Sequence, residues 1–125
     1  MPGLDKSQRL LSKKDFDSTL DGSGLKIVCR DFVLVASKVD ESRPARLGLI
    51  VSGKVGNSVV RNRIKRSIRE VFRGNLALAP QLAGRDLVVI ARPSLVDDQG
   101  RVKDDVQDSL RHCSSRLLKK LVELK

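Results

Sequence analysis

The side chains that most often do chemistry are thinly spread along this chain of 125 residues. It has one histidine, His112, two cysteines, Cys29 and Cys113, and 15 acidic residues. Metal-dependent hydrolysis needs converging carboxylates, and general acid–base catalysis needs a positioned histidine or a matched pair of titratable groups. The acids instead scatter as Asp15, Asp17, Asp31, Asp40, Asp86 and the pairs Asp97-Asp98 and Asp104-Asp105, in no recognisable motif. No G-x-x-x-x-G-K-[ST], H-E-x-x-H or C-x-x-C occurs. His112 has no second ligand at metal spacing and reads as a surface histidine. Cys29 and Cys113 sit in apolar contexts and read as small core residues rather than a disulfide or metal pair. The polypeptide alone therefore carries no catalytic constellation and no expected metal site.

What the sequence does concentrate is positive charge. Between Arg43 and Arg73 there are nine basic residues (Arg43, Arg46, Lys54, Arg61, Arg63, Lys65, Arg66, Arg69, Arg73) and one acid, Glu70. The whole chain carries a net charge of +10, so this stretch accounts for most of it and the remainder is nearly balanced. Like charges three and four residues apart on a helix repel, as Arg61 with Lys65 and Lys65 with Arg69 must. Such a face costs stability unless it meets a polyanion. The clustering points to nucleic acid, with a solvated helix face as the bland alternative.

The element that must position these charges is the stretch Lys54 to Arg73, KVGNSVVRNRIKRSIREVFR. At about 100° per residue, Val60, Ile64, Ser67, Ile68, Val71 and Phe72 fall on one arc of about 140°. Arg61, Asn62, Lys65, Arg66, Arg69 and Arg73 fall on the adjoining arc, and Arg63 and Glu70 lie beyond it. One face can pack on a sheet while the other offers guanidinium groups to phosphates. Ser58 is the expected N-cap and Gly74 the expected stop, with Gly53 and Gly56 keeping the preceding loop compact.

Around this helix the chain predicts one domain with one core. Residues 1 to 11 read as irregular, and Ser12 with Asp15 opens a short helix running to about Leu20. Phe16 and Leu20 lie one turn apart on it, and core packing is the physical reading of Phe16. From Leu25 a β-branched run predicts one strand or two short ones, followed by a turn at Asp40 to Pro44 and a strand at Arg46 to Ser52. Gly74 to Arg85 reads as a loop, Asp86 to Ala91 as the most apolar and central strand, and Asp97 to Arg101 as a turn. Val106, Leu110, Cys113, Leu117, Leu121 and Val122 recur at helical spacing and predict a closing helix over the sheet. With three Phe and no Trp or Tyr, a stacking platform for single strands is excluded, so recognition must lean on charge and shape. No apolar run reaches signal-peptide or membrane-spanning length, and a cytoplasmic protein is expected.

Residues 46 to 73, RLGLIVSGKVGNSVVRNRIKRSIREVFR, resemble the signature of the protein subunit of bacterial ribonuclease P around Arg61-Asn62-Arg63. The flanks agree in order: Leu11 and Phe16, the FVLVA run at Phe32 to Ala36, DLVVIARP, and the closing helix. The resemblance implies an α/β two-layer sandwich of order αβββαβα. Its central sheet is mixed, and its left-handed βαβ crossover carries the basic helix, against the usual right-handed preference. It also implies that the RNA subunit is the catalyst, removing the 5′ leader of precursor tRNA with Mg2+, and that the protein binds both RNAs. No membrane or small-molecule partner is implied.

Carried over by position, the RNA-binding set is Lys54, Asn57, Arg61, Asn62, Arg63, Lys65, Arg66 and Arg69. The leader cleft is Phe16, Leu20 and Val35, which moves Phe16 from the core reading to the cleft. The family commonly has aromatics where Leu20 and Val35 stand and often a lysine where Gly53 stands. A cationic wedge between two polyanions lowers their repulsion and the need for Mg2+. With about six to eight phosphate contacts, affinity should fall about a thousandfold or more between low and moderate salt. A ribosome-associated RNA-binding module is the alternative the same charge pattern allows, and docking on an anionic membrane a more distant one.

Overall fold

The computed structural model describes residues 17, 19–20, 24–37, 45–76 and 79–123. Its strands are β1 (Leu25–Val28), β2 (Phe32–Ala36), β3 (Arg46–Ile50) and β4 (Asp86–Ala91), and its long helices are α1 (Ser58–Val71) and α2 (Val106–Glu123). The β-branched run after Leu25 thus resolves into two strands, and Asp17, Thr19 and Leu20 are helical ahead of them. Phe16 and the expected start of that first helix lie outside the described residues.

The sheet runs in the order β1-β2-β4-β3. β1 and β2 pair antiparallel, as do β2 and β4, whereas β3 and β4 are parallel. Parallel neighbours need a crossover, and α1 lies within it. The sheet is therefore mixed, and β4, the most apolar strand, is interior as its composition requires. Arg46 opens β3 directly opposite Asp86 of β4, and the pair is closed by a two-pronged contact of 2.7 and 2.8 Å. This fixes the register of the parallel pair by a charge-assisted fork.

Pleating separates the two faces of the sheet. Phe32, Leu34, Leu87 and Val89 point into the core, where Ile64, Ile68 and Val71 of α1 and Leu110, Cys113 and Leu117 of α2 meet them. Each such side chain contributes about 1.5–3 kcal/mol by leaving water. The opposite face carries Val28, Val33, Val35, Val88 and Ile90, none of which belongs to that core.

Three local expectations need correction. Asn57, not Ser58, caps α1: its side-chain oxygen accepts the Val60 amide at 3.0 Å. Ser58 is already the first helical residue, one position too late for that acceptor. Gly74 does not stop the helix, because α1 widens at Val71 into a π-helical turn, Phe72–Leu76, which runs through it. Buried Phe72 and Leu76 hold that turn against the core, where propensity alone favours a break.

The third correction is that Cys29 and Cys113 form a disulfide across 84 residues of sequence, with their Cα atoms 6.1 Å apart. The β1–β2 turn lies beneath α2, so two cysteines that are remote in sequence are adjacent in space. By constraining the unfolded chain such a bridge contributes about 2–4 kcal/mol. His112, by contrast, is exposed as expected.

Candidate nucleic-acid interface

α1 presents its cations on three sides. Asn62, Lys65, Arg66 and Arg69 occupy the side away from the core, where Asn62, Arg66 and Arg69 are exposed and Lys65 is half-buried. Arg61 and Arg63 are two residues apart, about 160° around the axis, and so lie on opposite flanks. The Arg63 flank also bears Glu70 and Ser67, and Glu70 accepts from Gln107 Nε2 of α2 at 2.8 Å. Arg63 is thereby directed along the seam between the helices and away from its motif partner.

The charge is not neutralised internally. Among the described residues, Arg66 is shared with Glu70 at 3.3 Å, while Lys54, Arg61, Arg63, Lys65 and Arg69 pair with no carboxylate. Elsewhere several cations are matched: Arg46 with Asp86, Arg101 with Asp97, Arg111 with Asp108 and Lys120 with Glu123. Arg61 is the extreme case. Its Nε is buried and has no hydrogen-bond partner. A buried donor without an acceptor costs about 1–3 kcal/mol.

The loop into α1 adds to this surface. Lys54 and Asn57 are exposed, although the Asn57 side-chain oxygen is engaged in capping. A side chain built at Gly56 would strike Val60 Cγ1 at 2.7 Å, so this glycine lets the loop lie close on the first turn. Gly53 faces open space, and nothing there opposes a longer side chain.

The expected cleft residues are placed differently from one another. Leu20 is 38% exposed, whereas Val35 is only 6% exposed although it lies on the outer face of the sheet. Around it the same face leaves Val28, Val33, Ile50 and Ile90 partly or largely open. These form an apolar strip that the sequence reading did not single out. The alternation of FVLVA, with its odd and even positions on opposite faces, was the available signal.

A mixed four-stranded sheet carrying two long helices, one of which displays cations unpaired by any described carboxylate, defines an α+β protein that presents positive charge. The ribonuclease P family model matches residues 4–120. A ribonuclease P protein component from Stutzerimonas stutzeri is 43% identical over 96 residues, covering 76% of this chain and 70% of the relative. Another from Marinobacter nauticus is 39% identical over 117 residues, covering 92% and 82%. Among solved structures, the RNase P protein of Staphylococcus aureus superposes with a TM-score of 0.74 at 31% identity, covering 90% of this chain and 96% of that one. That of Thermotoga maritima gives 0.68 at 33% identity, again covering 90% and 96%. The chain belongs to the ribonuclease P protein family, whose members are the protein component of that enzyme.

Proposed function

We propose that this subunit binds the catalytic RNA of ribonuclease P through α1 and its preceding loop, and holds the 5′ leader of precursor tRNA against the outer face of the sheet. Removal of the leader, yielding the mature tRNA 5′ end, is then RNA chemistry in which the protein neutralises repulsion between catalyst and substrate. The observation that carries this reading is the set of unpaired cations on α1, with the orphaned Arg61 Nε among them. A helix that bears four unmatched cations, with Lys54 in the loop before it, is poised for phosphates, which offer the acceptors that the protein withholds.

Among the described residues no group of three or more His, Cys, Asp or Glu side chains converges as a metal site would require. The Mg2+ requirement is assigned to the RNA, whose phosphates supply the hard oxygen ligands this ion prefers. The leader site is assigned to Leu20 and the strip around Val35, and Phe16, outside the described residues, is assigned to it on the family resemblance alone. An apolar strip beside a basic helix suits an unpaired strand, whose bases are free of a duplex. No described helix is long and apolar enough to cross a membrane. We place the subunit in the cytoplasm, where precursor tRNA is made.

Binding of ribonuclease P RNA measured against salt tests the assignment. For Arg61→Ala, Arg63→Ala and Arg66→Ala combined, the slope of log affinity against log salt should fall by about 2–3. The circular dichroism spectrum should be unchanged. An unaltered slope in a folded variant would remove α1 from the interface.

A further inference from the structure

Arg63 is the one arginine of α1 directed along the seam with α2, and there it borders two adjoining cavities. One, of about 350 Å³, is lined by Val59, Val60, Val102 and Arg63. The other, of about 280 Å³, adds Ser67, Lys103, Gln107 and Arg111. Both include Arg63, Val102 and Asp104, so they form one groove with an apolar end and a polar end.

Its wall is a built structure. Asp97 Oδ1 accepts the amides of Gln99 and Arg101, each at 2.9 Å, and Gly100 takes a φ of 78° to close the turn. Val96 and Val102 then bridge antiparallel, and both pack against the core. At the mouth stands Val59, 76% exposed on the first turn of an otherwise cationic helix surface.

The charges sort the occupants. Arg101 is matched by Asp97 and Arg111 by Asp108. That leaves Arg63 and Lys103 as cations and Asp104 as an anion without partners among the described residues. Two free cations suit a phosphodiester, and the valine shelf suits a flat apolar face. A carboxylate accepts hydrogen bonds and donates none, so Asp104 favours a base edge that carries an amino group.

We infer that the groove between α1 and the 97–108 segment binds a single unpaired RNA nucleotide. Its phosphate lies on Arg63 and Lys103, its base on the Val59, Val60 and Val102 shelf, and its amino-bearing edge on Asp104. A base stacked in a duplex is excluded, because it cannot reach the shelf. This rests on the reading of α1 as an RNA-binding helix and extends it to a site on the flank away from Arg61.

The test is amide NMR of the full chain titrated with cytidine and uridine tetranucleotides. The cytidine oligomer should shift Val60, Val102 and Lys103 and bind at least fivefold more tightly than the uridine oligomer. Asp104→Asn should bring the two within twofold of each other. Val59→Glu, at an exposed position, and Lys103→Ala should each abolish the groove shifts while those at Asn62, Lys65 and Arg69 persist. Shifts confined to Asn62, Lys65 and Arg69, or equal affinity for the two oligomers, would overturn the groove and leave the α1 interface standing. Silence at all these amides would overturn both. To identify the source of the nucleotide, Val59→Glu is assayed separately against ribonuclease P RNA and precursor tRNA. A loss of about tenfold against one names it, and no loss against either contradicts the site.

Discussion

At the scale of single residues, Asp31 is a buried carboxylate on which three side chains converge. It is fully buried, and its carboxylate accepts from Ser94 at 2.7 Å, Ser109 at 2.8 Å and Arg30 at 3.3 Å. Burial pushes its pKa up, but the two hydroxyls and the guanidinium together outweigh it, holding the pKa below the ordinary 3.8. A carboxyl depressed in the folded state stabilises the fold in its ionised form. That contribution is complete above the ordinary value and is lost as pH falls through the depressed one. Thermal melts from pH 7 to pH 2 should show an acid limb that flattens in Asp31→Asn, with the variant about 1–3 kcal/mol less stable at neutral pH. An unchanged acid limb would assign acid sensitivity to other carboxylates. Nothing in the sequence marked Asp31, because its two hydroxyl partners lie more than 60 residues away. The unpaired state of Arg61 and Arg63 was legible only as an excess of like charge, since pairing is a property of space.

At the scale of elements, α1 was readable almost throughout. The spacing of Val60, Ile64, Ile68 and Val71 gave its buried face, and the density of arginine gave the other. What the wheel could not give was its ends. The cap shifted by one residue to Asn57, and buried Phe72 and Leu76 drew the chain on through Gly74 as a π-helical turn. The preceding loop offers a gain-of-charge experiment. Gly53 meets open space on its Cβ side and lacks a positive φ, so Gly53→Lys should fold with stability within about 0.5 kcal/mol of the parent. It should raise affinity for ribonuclease P RNA and steepen the salt slope by about 1. Unaltered binding would place this loop outside the RNA contact. The strands were legible from their β-branched runs, but which alternate residues face outward became clear only once the register of β2 and β4 was fixed.

At the scale of the whole molecule, the proposed division of labour rests on where the fold holds its unmatched charge. The α/β scaffold, tied by the Arg46–Asp86 fork and the Cys29–Cys113 bridge, holds one helix whose charge it leaves unmatched. The closing helix was evident from its periodicity. The bridge was not, because it depends on α2 crossing over the β1–β2 turn. The central claim is that this charge serves RNA-catalysed processing of precursor tRNA. Its most direct test is cleavage of a precursor tRNA by ribonuclease P RNA at low Mg2+, with the wild-type protein and with the Arg61→Ala, Arg63→Ala, Arg66→Ala variant. The account predicts 5′ cleavage restored by the wild-type protein and lost with the variant. Tight, salt-sensitive RNA binding without any restoration, or full restoration by the variant, would contradict it.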